Sequence, residues 1–136
     1  MKNSIDVYVE FSFKGETHAS AATIDLDYFM EQGESLPAMH RVLAEKNGID
    51  TYSYLYEVME QSDIRFHNPQ GKAVDFLYEG FFDKAGYEEW WRDNRIVVLL
   101  QQIARRELGI DDLERHHELK NALVKAYRLG KQAEDP

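Results

Sequence analysis

The chain has no cysteine in its 136 residues. That excludes disulfides, thiolate nucleophiles and cysteine-ligated zinc or iron–sulfur centres. No apolar run reaches the roughly 18–20 residues a membrane-spanning helix needs. The first residues, Met1-Lys2-Asn3-Ser4-Ile5-Asp6, lack the apolar core of a secretory signal. Gly-rich phosphate loops, a dinucleotide fingerprint and a Gly-x-Ser-x-Gly turn are all missing, although Ser4, Ser12, Ser20, Ser35, Ser53 and Ser62 are available. Internal repeats, low-complexity tracts and inter-domain linkers are likewise absent. Basic residues are few, 16 against 25 acidic, for a net charge of −9. A field of that sign repels phosphate backbones and argues against nucleic-acid binding. A cytoplasmic protein with no cofactor, no membrane contact and no nucleic-acid partner is the expectation.

What remains is ordinary globular material, with 43% hydrophobic and 30% charged residues. One domain over residues 1–129 is expected, with 130–136 as a polar, frayed tail. The acid is uneven. Residues 1–91 carry 7 Lys/Arg and 17 Asp/Glu, whereas residues 92–136 carry 9 and 8. Arg92, Arg95, Arg105, Arg106 and Arg115 thus form a locally basic stretch, in which Arg95, Gln102 and Arg106 share one helical face.

Ile5, Val7, Val9, Phe11 and Phe13 alternate with Asp6, Tyr8, Glu10 and Ser12, which predicts a half-buried strand. Lys14-Gly15-Glu16 reads as a turn into a second strand over Thr17–Ile24, rich in small residues. Pairing Phe11 with Ala19 and Val9 with Ala21 would let a helix approach closely. Asp25 or Asp27 caps a short helix ended by Gly33, and Ser35 caps the next, which buries Leu36, Met39, Val42 and Leu43 and stops at Asn47-Gly48. A third helix, capped by Asp50 or Thr51, puts Tyr52, Leu55, Tyr56 and Met59 on one face. Ile64–Phe66 reads as a short strand and 67–71 as a turn. Residues 73–82 are ambiguous between helix and strand. Asp83 caps a helix that either runs to Leu108 or breaks at Asp93-Asn94. Its segment Ile96–Ala104 is apolar almost all round, which predicts a central, buried helix. Asp111 caps the last one. The fold class is α+β: an N-terminal antiparallel β-hairpin packed against a bundle of four to six helices.

Eleven of the 17 aromatic residues lie between Tyr52 and Trp91. Phe66, Phe76, Phe81 and Phe82 have no polar tip and are expected inside, as are Tyr52 and Tyr56. Adjacent Trp90 and Trp91 point about 100° apart on a helix, so one buried face cannot easily take both. Exposed Trp and Tyr beside Arg match the composition of binding hot spots. Tyr87, Trp91 and Arg95 recur at i, i+4 and i+8, and Tyr54 could join them. His116 falls on the apolar face of the last helix, where it could anchor a ligand in an aromatic-lined pocket. Glu114 and His117 make one half of a dimetal pattern whose other half is missing. His40 or His67 could complete a mononuclear site only from elsewhere, so no metal is expected. The candidate binding residues are Tyr54, Tyr87, Trp90, Trp91, Arg95 and His116. No catalytic residue stands out. The expected function is a small acidic protein, non-enzymatic, that binds a protein partner or a second copy of itself through an aromatic/arginine patch. A small ligand held by His116 or an arginine, with or without catalysis, is the alternative.

Overall fold

Alternation along one strand organises the N-terminal half. The computed structural model describes residues 2–134 and has an α+β fold. Strand β1 (Ser4–Phe13) lies between β2 (Glu16–Asp25) and β3 (Arg65–Gln70) in an antiparallel sheet of order β2-β1-β3. Ile5, Val7, Val9 and Phe11 are buried on one face, which α2 (Met39–Lys46) and α3 (Tyr54–Glu60) cover. The opposite face carries Asp6, Tyr8, Glu10 and Ser12.

The hairpin register differs from expectation by one residue. Phe11 pairs with His18 and Val9 with Ser20. The cause is the turn: Lys14 and Gly15 both have positive φ, 52° and 80°, so two residues rather than three close the hairpin. Ser20 and Ala22 then face inward, so small residues of β2 still lie beside large ones of β1. Helix α2 packs over this strand, and the Asn47 amide at its C-terminus donates to the Ala21 carbonyl at 3.4 Å.

Local capping explains the helix starts. Asp25 Oδ1 accepts from Tyr28 N at 3.3 Å and opens α1 (Leu26–Gly33). Ser35 does not cap α2, which begins only at Met39 after an extended Ala38. Ser53, not Asp50 or Thr51, caps α3 and accepts from Tyr56 N at 3.2 Å. Asp50 instead accepts from Tyr52 N at 2.9 Å, holding Tyr52 in the preceding turn. Tyr52 is therefore 96% exposed rather than part of the core. Strand β3 extends to Gln70 through the supposed turn. Its Pro69 is tolerated because this is an edge strand with a local register shift. A 3-10 segment (Gly71–Phe76) leads into a second hairpin, β4 (Leu77–Tyr78) and β5 (Phe81–Phe82), turned by Glu79 and Gly80 at φ 49° and 82°.

The aromatic block divides accordingly. Tyr87 is fully buried, with Phe76 edge-on at 5.7 Å and Phe82 at 5.9 Å. Phe82 in turn meets Phe66 at 5.6 Å. Burial, with Asp27 and Asp25 adding negative charge nearby, pushes the Tyr87 phenol well above its ordinary range. Phe81, expected inside, is 68% exposed.

Helix α4 (Lys84–Leu108) is continuous, with no break at Asp93-Asn94. Asp83 Oδ1 accepts from Gly86 N at 3.0 Å at its start. Leu113–Arg115 forms a 3-10 turn capped by Asp112, where Asp111 was expected as the cap, and α5 spans His117–Glu134. Residues 130–134 are thus helical where a frayed tail was expected, while 135 and 136 lie outside the described residues. Contacts group the chain into two units, divided in sequence between Glu88 and Glu89.

Asp6 ties all three strands together. Thr23 Oγ1 donates to its Oδ1 at 2.7 Å and Asn68 Nδ2 to its Oδ2 at 3.0 Å. These two hydrogen bonds, and to a lesser extent the charge of His67, hold its carboxyl below the usual value despite some desolvation. A lowered folded-state value means that this stabilisation is present above the unfolded value and is lost as pH falls through the folded one. Asp6→Asn should therefore flatten the decline of the melting temperature between about pH 5 and pH 2. Melting curves of the two proteins across that range check this, and parallel declines would refute it.

Candidate protein-binding surface on the C-terminal helices

The C-terminal unit consists of the later part of α4, the 3-10 turn and α5. Its seam is narrow. Among the described residues, one buried cluster lies here, Leu100, Ala104 and Leu113, with Ile96, Ile110, Leu119, Leu123 and Val124 packed half-buried around it. Gly109, at φ 67°, ends α4, and Ile110 N reaches back to the Ala104 carbonyl at 3.2 Å. The Gln101 side chain fastens the corner. Its amide donates to the Ile110 carbonyl at 2.9 Å, and its oxygen accepts from Leu113 N at 2.6 Å. Arg128 Nη2 pairs with Asp93 Oδ1 at 3.2 Å across the two helices.

Because α5 covers only one flank of α4 within this unit, the expectation of a helix buried all round fails. Val98 is 51% exposed, Leu99 49% and Ile103 53%. The sequence reading missed Leu99 and Ile103 as surface residues. Among the described residues a single α-helix, α5, follows α4, and one helix covers only one flank of another.

The expected site residues fall in different places. Trp91 and Arg95 come together: the guanidinium carbon lies 5.4 Å from the indole centroid, in cation–π range. Trp90 and Trp91 are both half-buried. Tyr87 drops out of any surface, because it forms part of the N-terminal core. Tyr54 is 78% exposed and belongs to the N-terminal unit. His116 is exposed and ends the 3-10 turn rather than lying on the apolar stripe of α5, because that helix begins one residue later. It lines a shallow depression with Arg115, His117, Glu118 and Leu119, without any Phe, Tyr or Trp. An open cleft of about 520 Å³ does exist in the N-terminal unit, lined by His40, Glu60, Asp63, Phe66, Glu79 and Phe81 among others, but it contains neither His116 nor an arginine. Among the described residues no three His, Asp or Glu side chains are grouped as a metal ion requires. Among the described residues no helix is long and apolar enough to cross a membrane.

Extending the Trp91–Arg95 pair by the same i,i+4 step reaches Leu99 and then Ile103. The four side chains form one oblique ridge on α4, the geometry by which helices interlock. The basic stretch is internally compensated: Arg105 faces Asp111 at 3.7 Å, Arg115 faces Asp112 at 3.6 Å, and Arg128 holds Asp93. Residues 89–136 contain nine Lys/Arg and nine Asp/Glu, so the whole net charge of −9 resides in residues 1–88. Comparison with protein-family models, curated proteins and solved structures finds no match to this chain.

Gln101→Ala would leave the Ile110 carbonyl and the Leu113 amide without this partner. A loss of about 1–3 kcal/mol is expected for such a corner. Chemical denaturation monitored by helix circular dichroism measures it, and a change under about 0.5 kcal/mol would show that the corner is held by other contacts.

Proposed function

We propose that this protein is a non-enzymatic, cytoplasmic binding protein that works by docking other protein surfaces on its C-terminal helices. The observation that carries this reading is the ridge Trp91–Arg95–Leu99–Ile103, in which a tryptophan–arginine pair runs directly into two large aliphatic side chains, each about half exposed. Scattered single apolar residues on a surface are ordinary. A contiguous row that combines Trp, Arg, Leu and Ile on a rigid helix has the composition and rigidity of an interaction face. The neutral charge of residues 89–136 supports a protein partner over a phosphate backbone, which would call for a net positive surface.

The small-ligand alternative has less behind it. The depression at His116 is shallow and lacks the aromatic walls that reading requires.

The test is photo-cross-linking from the intact protein in cells. Substituting p-benzoylphenylalanine at Ile103 is expected to give discrete protein adducts, whereas the same group at Glu16, the exposed first residue of β2, gives none. Equal, diffuse labelling from both positions, or no adduct at Ile103, would overturn the reading.

A further inference from the structure

We infer that the occupant of this surface is a second copy of the chain, with two C-terminal helix pairs related by a two-fold axis and completing a four-helix bundle. This rests on the protein-binding reading above and names the partner.

The first argument is burial. Two helices share a single seam, and here that seam buries three apolar residues, Leu100, Ala104 and Leu113. Beside it on α4 runs a second apolar stripe: Ile96, Leu99 and Ile103, separated by three and then four residues. That is the spacing by which one helix presents a continuous row to a neighbour, with Ile and Leu in alternation. On α5, Leu119, Leu123 and Ala126 are separated by four and then three residues, the same kind of row in the opposite order. At 100° per residue these stripes lie on the flank of the seam opposite the groove formed by Asp93, Val97, Lys120, Val124 and Arg128. One flank therefore ends in an ion pair and polar side chains. On the other flank Leu99, Ile103 and Ala126 are exposed, while Ile96, Leu119 and Leu123 are half-buried because they also pack against the seam.

Area is the second argument. Leu99 and Ile103 are half exposed, and Ile96, Leu119 and Leu123 partly so. Together with Ala126 they present roughly 300–400 Å² of apolar surface per copy, and apolar atoms make up about 65% of homodimer interfaces. Two copies would thus bury on the order of 1,000 Å² in total, about the threshold for a specific interface. A two-fold axis needs only a self-complementary patch, which a paired stripe on two antiparallel helices supplies.

Charge is the third. Residues 89–136 are neutral, so like faces meet without net repulsion, while each acidic N-terminal unit repels its counterpart. Salt should screen that repulsion and strengthen the dimer.

Sedimentation velocity on the full chain tests this over a concentration series up to about 100 μM, a range suited to micromolar affinity. A dimer is expected, tighter at high salt. Leu99→Asp and Ile103→Asp should each weaken it at least about tenfold, which is the cost of burying a lone carboxylate in such a seam. Val98→Asp, on the far side of the same helix, should leave it unchanged. Circular dichroism checks that helix content persists, and if Ile103→Asp unfolds, the milder Leu99→Ser is read in its place. A monomer throughout, a dimer indifferent to Leu99→Asp and Ile103→Asp, or one equally sensitive to Val98→Asp would overturn the inference. If the chain is monomeric yet Ile103 still cross-links to a different protein, the binding function stands and self-association falls.

Discussion

Removal of one face of β1 from water is the interaction on which the N-terminal unit depends. Ile5, Val7, Val9 and Phe11 alternate inward along a ten-residue strand with a neighbour on each side. A pair of strands alone is marginal in water, and a third strand with helices over the apolar face makes it stable. Every other feature of that unit serves this face. The two-residue turn sets the register that places Ser20 and Ala22 under α2. The Asp6 hydrogen bonds clamp β2 and β3 to β1 on the solvated side. Phe66, Phe82, Tyr87 and Phe76 fill the end of the core where the chain leaves the sheet for α4.

The C-terminal unit has no such sheet, and that difference is the source of its surface. Helices that meet along one seam bury one stripe each and leave the next stripe in water. In residues 89–136 the seam is short, pinned by Gln101 and the Arg128–Asp93 pair, and rich apolar sequence spills past it. The charge follows the same division: strongly acidic in the first 88 residues, balanced thereafter. A charge-neutral helix pair with exposed apolar residues, next in the chain to an acidic α+β unit, fits the proposed association through the helices.

Period-two alternation and the helix-stop signals at Gly33 and Asn47-Gly48 made the element order legible from sequence as far as α3, whereas the segment from 67 to 82 was not. The α+β class was legible as well. Features set by local geometry were less so. Two residues or three in the first turn decides which side chains pair, and the sequence Lys-Gly-Glu permits both. Tyr52 has core spacing with Tyr56 and Met59, yet the Asp50 side chain captures its amide and keeps it out of the helix. At the candidate site, the Trp91–Arg95 contact follows from i,i+4 spacing alone. The exposure of Leu99 and Ile103 does not, because an all-round apolar helix looks the same whether one neighbour covers it or four. Tyr87 shows the converse: its spacing matches Trp91, but it lies within reach of the aromatic core and is buried there.

Self-association through the Ile96–Leu99–Ile103 stripe places the same α4 residue of two copies at a fixed separation. Since the chain is free of cysteine, Asn94→Cys gives a single, unique attachment point for a nitroxide on the exposed side of α4 opposite that stripe. Double electron–electron resonance on the singly labelled protein measures the distance between copies directly. A dimer of this kind gives a defined distribution centred at roughly 20–40 Å, since bundle helices pack about 8–10 Å apart and the labels point away from the contact. A decay without dipolar modulation, at concentrations where the chain is folded, would contradict it.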